Sequence, residues 1–498
     1  MQSALLSLVA LSHAAFVQAA PAAPSAGGLD VDTTTGNLHG FVDDKTPNVR
    51  RFLGIPFAEP PVGKLRWQPP QKAQHRGDVN ATAYGPSCFQ EMSGGTIYDF
   101  PPYSSFGYQG GAQSEDCLHL NVFSPTNATA ESKLPVIIWI HGGGWVTDDT
   151  NVAYQVPELW VERTKGHIVV SVKYRLNLFG FPNAAAGTEN YGLLDQRAGV
   201  EWVRDNIAKF GGDVNRMTLW GQSAGAASVA YWGYTYPEEP IVAGLIADSG
   251  AGHAVASVDT TGSNFTTVAN LVGCYHMQPA EQLECMREVN PVYLSQAMAN
   301  AVSAGENPAS FFPAEDDKTV YKNMTDRISR GLVAKIPMIA GDNDNEAGSY
   351  VRTPPEGTLR LTPEEVQVGY DENNCPNAVE MNLRHQFGYD TYRYLYTGNF
   401  TNISRLPYIG AVHSAELPMI YGTHELHGPS TPFESEVSRT MQDLWLSFMS
   451  DPSKAPRSAS GVEWMKYDPS TKSMLVFAKD EKVTQFADRS LVEDFCKK

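Results

Sequence analysis

Positive charge is scarce in this chain. Thirty-seven Lys and Arg stand against 55 Asp and Glu in 498 residues, a net charge of −18, and such a surface draws in neither nucleic-acid phosphates nor an anionic membrane. After an apolar stretch at residues 4–17, no run is long enough to cross a bilayer, so the mature chain is expected to be soluble, without a membrane span. The six cysteines include no C-x-x-C pair and the twelve histidines no H-E-x-x-H. The common zinc signatures are therefore missing, and no metal is expected. Asp30 and Asp32 ahead of Gly36 start like a calcium loop, but position twelve is Phe41, which has no carboxylate to offer. There is also no G-x-x-x-x-G-K, and no G-x-G-x-x-G after a strand, to cradle a phosphate. The chemistry is expected to need no cofactor.

What is present is ordinary for a globular protein, with 42% hydrophobic and 10% aromatic residues, enough for a sizeable core. Residues 1–20 read as a signal peptide. They lack a basic n-region, but the small residues of Val17-Gln18-Ala19-Ala20 suit signal-peptidase cleavage. Residues 21–28, rich in Ala, Pro, Ser and Gly, read as a linker, and 29–498 as one domain. Secretion agrees with six N-x-S/T sequons, at Asn80, Asn127, Asn264, Asn323, Asn399 and Asn402, each of which predicts a surface position for glycosylation. An oxidising compartment favours disulfides. Cys274 with Cys285 closes a short local loop, Cys88 with Cys117 clamps the segment between them, and Cys375 with Cys496 is left by elimination.

The stretch Gly221-Gln222-Ser223-Ala224-Gly225 reads as G-x-S-x-G between the strand-like residues 217–220 and the helix-forming residues 226–230. A strand enters, a helix leaves, and Ser223 sits on the turn. Small neighbours are needed because such an elbow strains the backbone while keeping the serine oxygen exposed. The N-terminus of the following helix favours an oxyanion formed when a serine attacks an acyl carbon. A second signal follows the apolar strand at 134–140: His141-Gly142-Gly143-Gly144-Trp145, whose glycines let backbone N–H groups approach a ligand unobstructed.

Elsewhere, residues 29–42 read as short antiparallel strands turning at Thr35-Gly36-Asn37, and the proline-rich residues 52–63 as an ordered loop on the core. Residues 89–115 carry Tyr98, Phe100, Tyr103, Phe106 and Tyr108 among glycines and prolines, either as the wall or lid of a substrate site or as cover for the core. Strands are expected at 168–172, 243–247, 336–340 and 392–396, and a helix over 194–210 stopped by Gly211-Gly212. This alternation predicts a mostly parallel sheet with helices on both faces.

From Phe52-Leu53-Gly54-Ile55-Pro56 through Ser114-Glu115-Asp116-Cys117-Leu118, His141 to Trp145, Gly192-Leu193-Leu194-Asp195-Gln196-Arg197 and the elbow, the chain resembles the type-B carboxylesterase and cholinesterase family. The resemblance implies an α/β-hydrolase fold and a serine hydrolase acting on small carboxylic esters. It places the acid at Glu346, in Gly341-Asp342-Asn343-Asp344-Asn345-Glu346, with Asp342 and Asp344 as rivals, and the base at His413 rather than His385, His424 or His427. It also implies that Gly143, Gly144 and Ala224 donate the oxyanion-hole N–H groups, and that Ser249, at the end of the 243–247 strand, supports the triad from behind.

The chain departs from the family at Gln222, where the family usually has glutamate, and in having no tryptophan among the aromatic residues 89–115. Both departures reduce the attraction for a quaternary ammonium and favour a neutral ester. An acyltransferase, a lipase, or a binding module that has lost catalysis are the competing readings, the last disfavoured by an intact Ser223, Glu346 and His413. A histidine must be neutral to act as a base, so ester hydrolysis is expected to rise through roughly pH 6 to 7. A pH–rate profile that stays flat there counts against His413.

Overall fold

In the computed structural model, residues 28–90, 111–187, 190–252, 259, 261–303, 309–349, 361–403 and 409–496 are described. The expected signal peptide at 1–20, most of the expected linker and the aromatic positions 98–108 lie outside them. Strands follow the chain as β1 (Asp30–Thr33), β2 (Gly36–His39), β3 (Phe41–Asp43), β4 (Thr46–Pro56), β5 (Asp78–Asn80), β6 (His119–Pro125) and β7 (Leu134–Ile140). They continue as β8 (Ile168–Val172), β9 (Gly212–Gln222), β10 (Gly244–Asp248), β11 (Met338–Asn343), β12 (Thr391–Tyr396), β13 (Met474–Lys479) and β14 (Lys482–Ala487). A small sheet joins β1, β2 and β5, and an 11-stranded sheet runs β14-β13-β12-β11-β10-β9-β7-β8-β6-β4-β3. From β8 to β13 every neighbouring pair is parallel, while β3, β4, β6 and β14 pair antiparallel at the two edges.

The near-continuous apolar runs of the central strands reflect burial on both faces. Along β7, Val136, Ile138 and Ile140 join one core, while Ile137 and Trp139 join the other. In the second core Trp139 lies edge-on to Trp220 of β9, ring centroids 4.4 Å apart, and Tyr421 stacks on Trp220 at 4.9 Å. Such ring pairs contribute about 0.5–1.5 kcal/mol each beyond their buried area. They also bind the helix Leu417–Tyr421, just downstream of His413, to the strand that delivers Ser223.

Strands at 134–140 and 168–172 stand where the sequence places them. The helix expected over 194–210 is α-helical over Tyr191–Asn206, then tightens to a 3₁₀ turn over Ile207–Phe210 and stops at Gly211, whose φ of 98° is left-handed. The strand expected at 336–340 instead covers Met338–Asn343. Pro337 has no N–H to give the ladder, so pairing starts after it and carries Asp342 and Asn343 into the strand.

Four sequon asparagines, Asn80, Asn127, Asn323 and Asn399, are exposed, and Asn264 is half-buried with its amide donating to Ser310 O at 2.9 Å. The surface position expected for Asn402 is not met: it is 7% exposed, and its Nδ2, the atom a glycan would take, donates to His424 O at 2.8 Å and Ser430 Oγ at 3.0 Å.

The three disulfides are the expected pairs, Cys88–Cys117, Cys274–Cys285 and Cys375–Cys496, with sequence separations of 29, 11 and 121. If each acts by limiting the unfolded chain, opening Cys375–Cys496 costs about 2 kcal/mol more than opening Cys274–Cys285. Double Cys→Ser variants are therefore expected to unfold in that order of severity by urea titration; equal midpoints would show that loop closure is not the controlling effect.

Candidate active site

The parallel strands all end on one side of the sheet, and the chain doubles back there, since β7 lies between β8 and β9. Ligand sites of open α/β sheets lie outside the carboxyl ends of the strands at such a switch point. The loop after β7 holds Gly142, Gly143 and Gly144; β9 ends on Gln222 just before Ser223, β10 on Asp248 just before Ser249, and β11 leads to Glu346.

Ser223 has φ 57° and ψ −124°, a conformation costly for a residue with a side chain, and is half-buried between β9 and the helix Ala224–Thr235. Its N–H donates to Asp248 O at 2.8 Å, which ties the elbow to the neighbouring strand. Gly225 allows the helix to come close: a Cβ there would stand 2.1 Å from Ile140 O. Ala224 is the first residue of that helix, so its N–H has no carbonyl four residues earlier in the helix to bond.

The glycine loop is docked onto the same helix. Trp145 Nε1 donates to Ser228 Oγ at 3.0 Å, and Ser228 Oγ donates to Ala224 O at 2.9 Å. Gly143 turns with φ 80°, and a Cβ on it would overlap Thr147 O at 2.1 Å. Tyr174 OH donates to His141 O at 2.9 Å while its ring stacks on His141 at 4.4 Å. Farther along, the buried Lys173 Nζ lies 2.8 Å from Asp149 Oδ1 and donates to Gly85 O at 2.8 Å. Against the cost of burial, Lys173 holds the Asp149 carboxyl below its ordinary value.

Glu346 and His413 meet. His413 Nδ1 lies 2.5 Å from Glu346 Oε2, both side chains buried, and the other oxygen, Oε1, accepts the Asn343 N–H at 2.6 Å. The opposite ring nitrogen, Nε2, lies 3.0 Å from Gln222 Nε2, next to Ser223 in the chain. The rivals point elsewhere. Asp342 accepts from Asn377 Nδ2 at 2.8 Å, Asp344 is exposed, His385 bonds Tyr467 O at 3.1 Å, and His424 Nδ1 lies 2.5 Å from Ser430 Oγ. Ser249, fully buried, receives Asn343 Nδ2 at 3.3 Å and donates its N–H to Gly341 O at 2.8 Å.

Two residues of this assembly were not singled out in the sequence. Asn343 supplies both the N–H to Glu346 and, through Nδ2, a 2.5 Å bond to Glu416 Oε2. Glu416 stands three residues after His413, a spacing that could have drawn attention to it. Asp248, Asp342 and Glu416 form a shell of buried carboxyls around these loops. Asp248 receives the Trp220 indole and also interacts with the Tyr394 hydroxyl, whereas Asp342 and Glu416 each receive one side-chain donor, and Asp342 Oδ1 and Glu416 Oε1 have no hydrogen-bond partner among the described residues. Burial pushes the Asp248 carboxyl up to about 7 despite the Trp220 indole donating to it at 2.5 Å, and pushes Asp342 and Glu416 well above the usual range. Among the described residues, no group of three His, Cys, Asp or Glu is arranged to hold a metal ion.

The sign of the resulting pH dependence follows from linkage. The folded chain keeps the Asp248 proton where the unfolded chain, titrating near 3.8, has released it, so stability falls as pH rises from about 4 to about 7. Asp248→Asn removes that titration. Its stability relative to wild type is expected to improve between pH 4.5 and pH 7.5 in urea titrations, and an unchanged difference would show that Asp248 is not held neutral.

Residues 28–380 match the carboxylesterase family. The chain is 45% identical to a chlorogenic acid esterase of Aspergillus niger over 99% of each protein, and 41% identical to secreted lipase 5 of Gibberella zeae over 94% of this chain and 93% of the lipase. A solved structure of a PNB esterase superposes with a TM-score of 0.78 at 25% identity, covering 94% of this chain and 99% of the esterase. With the elbow, the glycine loop and an α/β-hydrolase sheet already in place, these matches show that the chain belongs to the carboxylesterase family and is a serine hydrolase of carboxylic esters.

Proposed function

We propose that this is a secreted esterase that cleaves neutral carboxylic esters through an acyl-enzyme on Ser223. The observation that carries the reading is the 2.5 Å pair of Glu346 and His413, whose far nitrogen reaches the elbow residue beside Ser223. Ser223 Oγ attacks the ester carbonyl carbon while its proton passes to His413 Nε2. Glu346 holds the ring and favours the imidazolium. The oxyanion is received by the N–H groups of Gly143, Gly144 and Ala224. The C–O bond to the alcohol then breaks, and that oxygen takes the proton from His413. Water, activated by the same base, releases the acid. Neutrality of the substrate is supported by Gln222, which places an uncharged amide where a carboxylate would attract a cation. Secretion is supported by relatives named secreted lipases and by three disulfides. Residues 29–498 are read as one catalytic unit because strands from 41 to 487 share the large sheet.

The relative named a lipase keeps a long-chain substrate in play, and one assay separates the cases. p-Nitrophenyl esters from acetyl to palmitoyl, with a choline ester alongside, are expected to be turned over by wild type, with the choline ester the poorest. Ser223→Ala is expected to lose at least about 10³-fold in kcat/KM. Retention of wild-type rates by that variant would remove Ser223 from the mechanism, and a peak at palmitoyl would favour the lipase reading.

A further inference from the structure

Gln222 touches the atom that must move the proton. It is 3% exposed, the last residue of β9, and its amide is wedged between the glycine loop and the base: Nε2 lies 3.0 Å from His413 Nε2, and a Cβ on Gly142 would stand 2.9 Å from Oε1. The ring's tautomer follows from its other side. Nδ1 faces the Glu346 carboxylate, which accepts, so Nδ1 carries the hydrogen and Nε2 of the neutral ring offers a lone pair. The Gln222 amide nitrogen therefore donates to that lone pair.

We propose that Gln222 is a positioning residue that caps the base nitrogen of His413 in the resting enzyme and releases it for each proton transfer. This rests on His413 being the base. When the Ser223 O–H proton moves to Nε2 and the serine oxygen bonds the acyl carbon, Nε2 becomes a donor. Two donors then face one another, and the amide has to turn its oxygen to the ring or withdraw. Its bond thus favours the neutral ring over the imidazolium. A carboxylate at the same position would do the reverse, since it only accepts. Glu346 sits on Nδ1 of the ring, and the next charged or titratable groups, Glu416 on the ring's own loop and Asp248 and Asp342 at the ends of β10 and β11, act on Glu346. All four stay in place when only residue 222 changes.

The test compares wild type, Gln222→Met, which keeps the length without an amide, and Gln222→Glu. The acid limb of kcat/KM is expected at lowest pH in wild type, higher in Gln222→Met, and highest in Gln222→Glu, the last displaced by on the order of one pH unit. Packing alone would change the plateau rates and leave the midpoints together. The methionine variant decides: a midpoint equal to that of wild type overturns the proposal whatever the glutamate variant does. A second readout needs neither turnover nor a stable variant. In wild type labelled at Gln and His, the side-chain amide protons of Gln222 are expected to shift with the same midpoint as the His413 ring, and an amide indifferent to the ring's titration overturns the proposal. If His413→Ala keeps full activity, the base assignment fails, which the wild-type ring titration distinguishes from failure of the Gln222 contact.

Discussion

The bond from Ser223 N–H to Asp248 O, 2.8 Å long, fixes what everything else in the site is measured against. It holds a non-glycine residue at φ 57°, a cost of order 1–3 kcal/mol that only an over-determined surrounding sustains. The surrounding is the parallel register itself, in which Gln222 pairs with Asp248 and Ala247 with Gly221. Once the elbow is pinned to β10, the helix Ala224–Thr235 has its direction, and Trp145 can dock on it through Ser228. The glycine loop and the elbow are therefore one unit, joined by the side chains of Trp145 from the loop and Ser228 from the helix.

Glu346 and His413 come from farther along the chain and need a second tie, which Asn343 provides. One residue bonds Glu346 through its backbone and both Glu416 and Ser249 through its side chain. The turn of Glu346, the loop of His413 and the end of β10 thereby meet at a single residue. This arrangement explains why His413 can sit in an otherwise irregular loop: its position is set by packing of the helix Leu417–Tyr421 on Trp220 and by Glu416, rather than by local secondary structure.

Much of this was legible in the sequence where backbone conformation dictates residue type. Gly221 and Gly225 announce the elbow because any side chain there would collide, and Gly142 and Gly143 announce a close approach for the same reason, while Gly144 has room for a Cβ and is set by its left-handed φ of 61°. The strand at 134–140 was readable because both of its faces are buried. Glu346 was not readable from residues alone. Asp342 is as acidic and as near, and what separates them is strand parity: Asp342 falls on the sheet face that meets Asn377, while the chain has to leave β11 before Glu346 turns towards His413. Asn402 failed for a related reason. A sequon records residue types, whereas the use of its Nδ2 depends on the turn at His424 to Ser430, which is distant in sequence.

The buried carboxyls show how one protein keeps four acids apart in role. Glu346 has a donor on each oxygen, the Asn343 N–H and the His413 ring. Asp342 and Glu416 each have one side-chain donor and one oxygen without a partner among the described residues, and Asp248 has the Trp220 indole and the Tyr394 hydroxyl. Burial penalises a charged carboxylate, and hydrogen bonds or a cation directed at it offset that penalty. For Asp248, Asp342 and Glu416 burial outweighs the donors they have, and all three are pushed upward. Of the four, the carboxyl that faces His413 is the one with a hydrogen-bond donor on each oxygen.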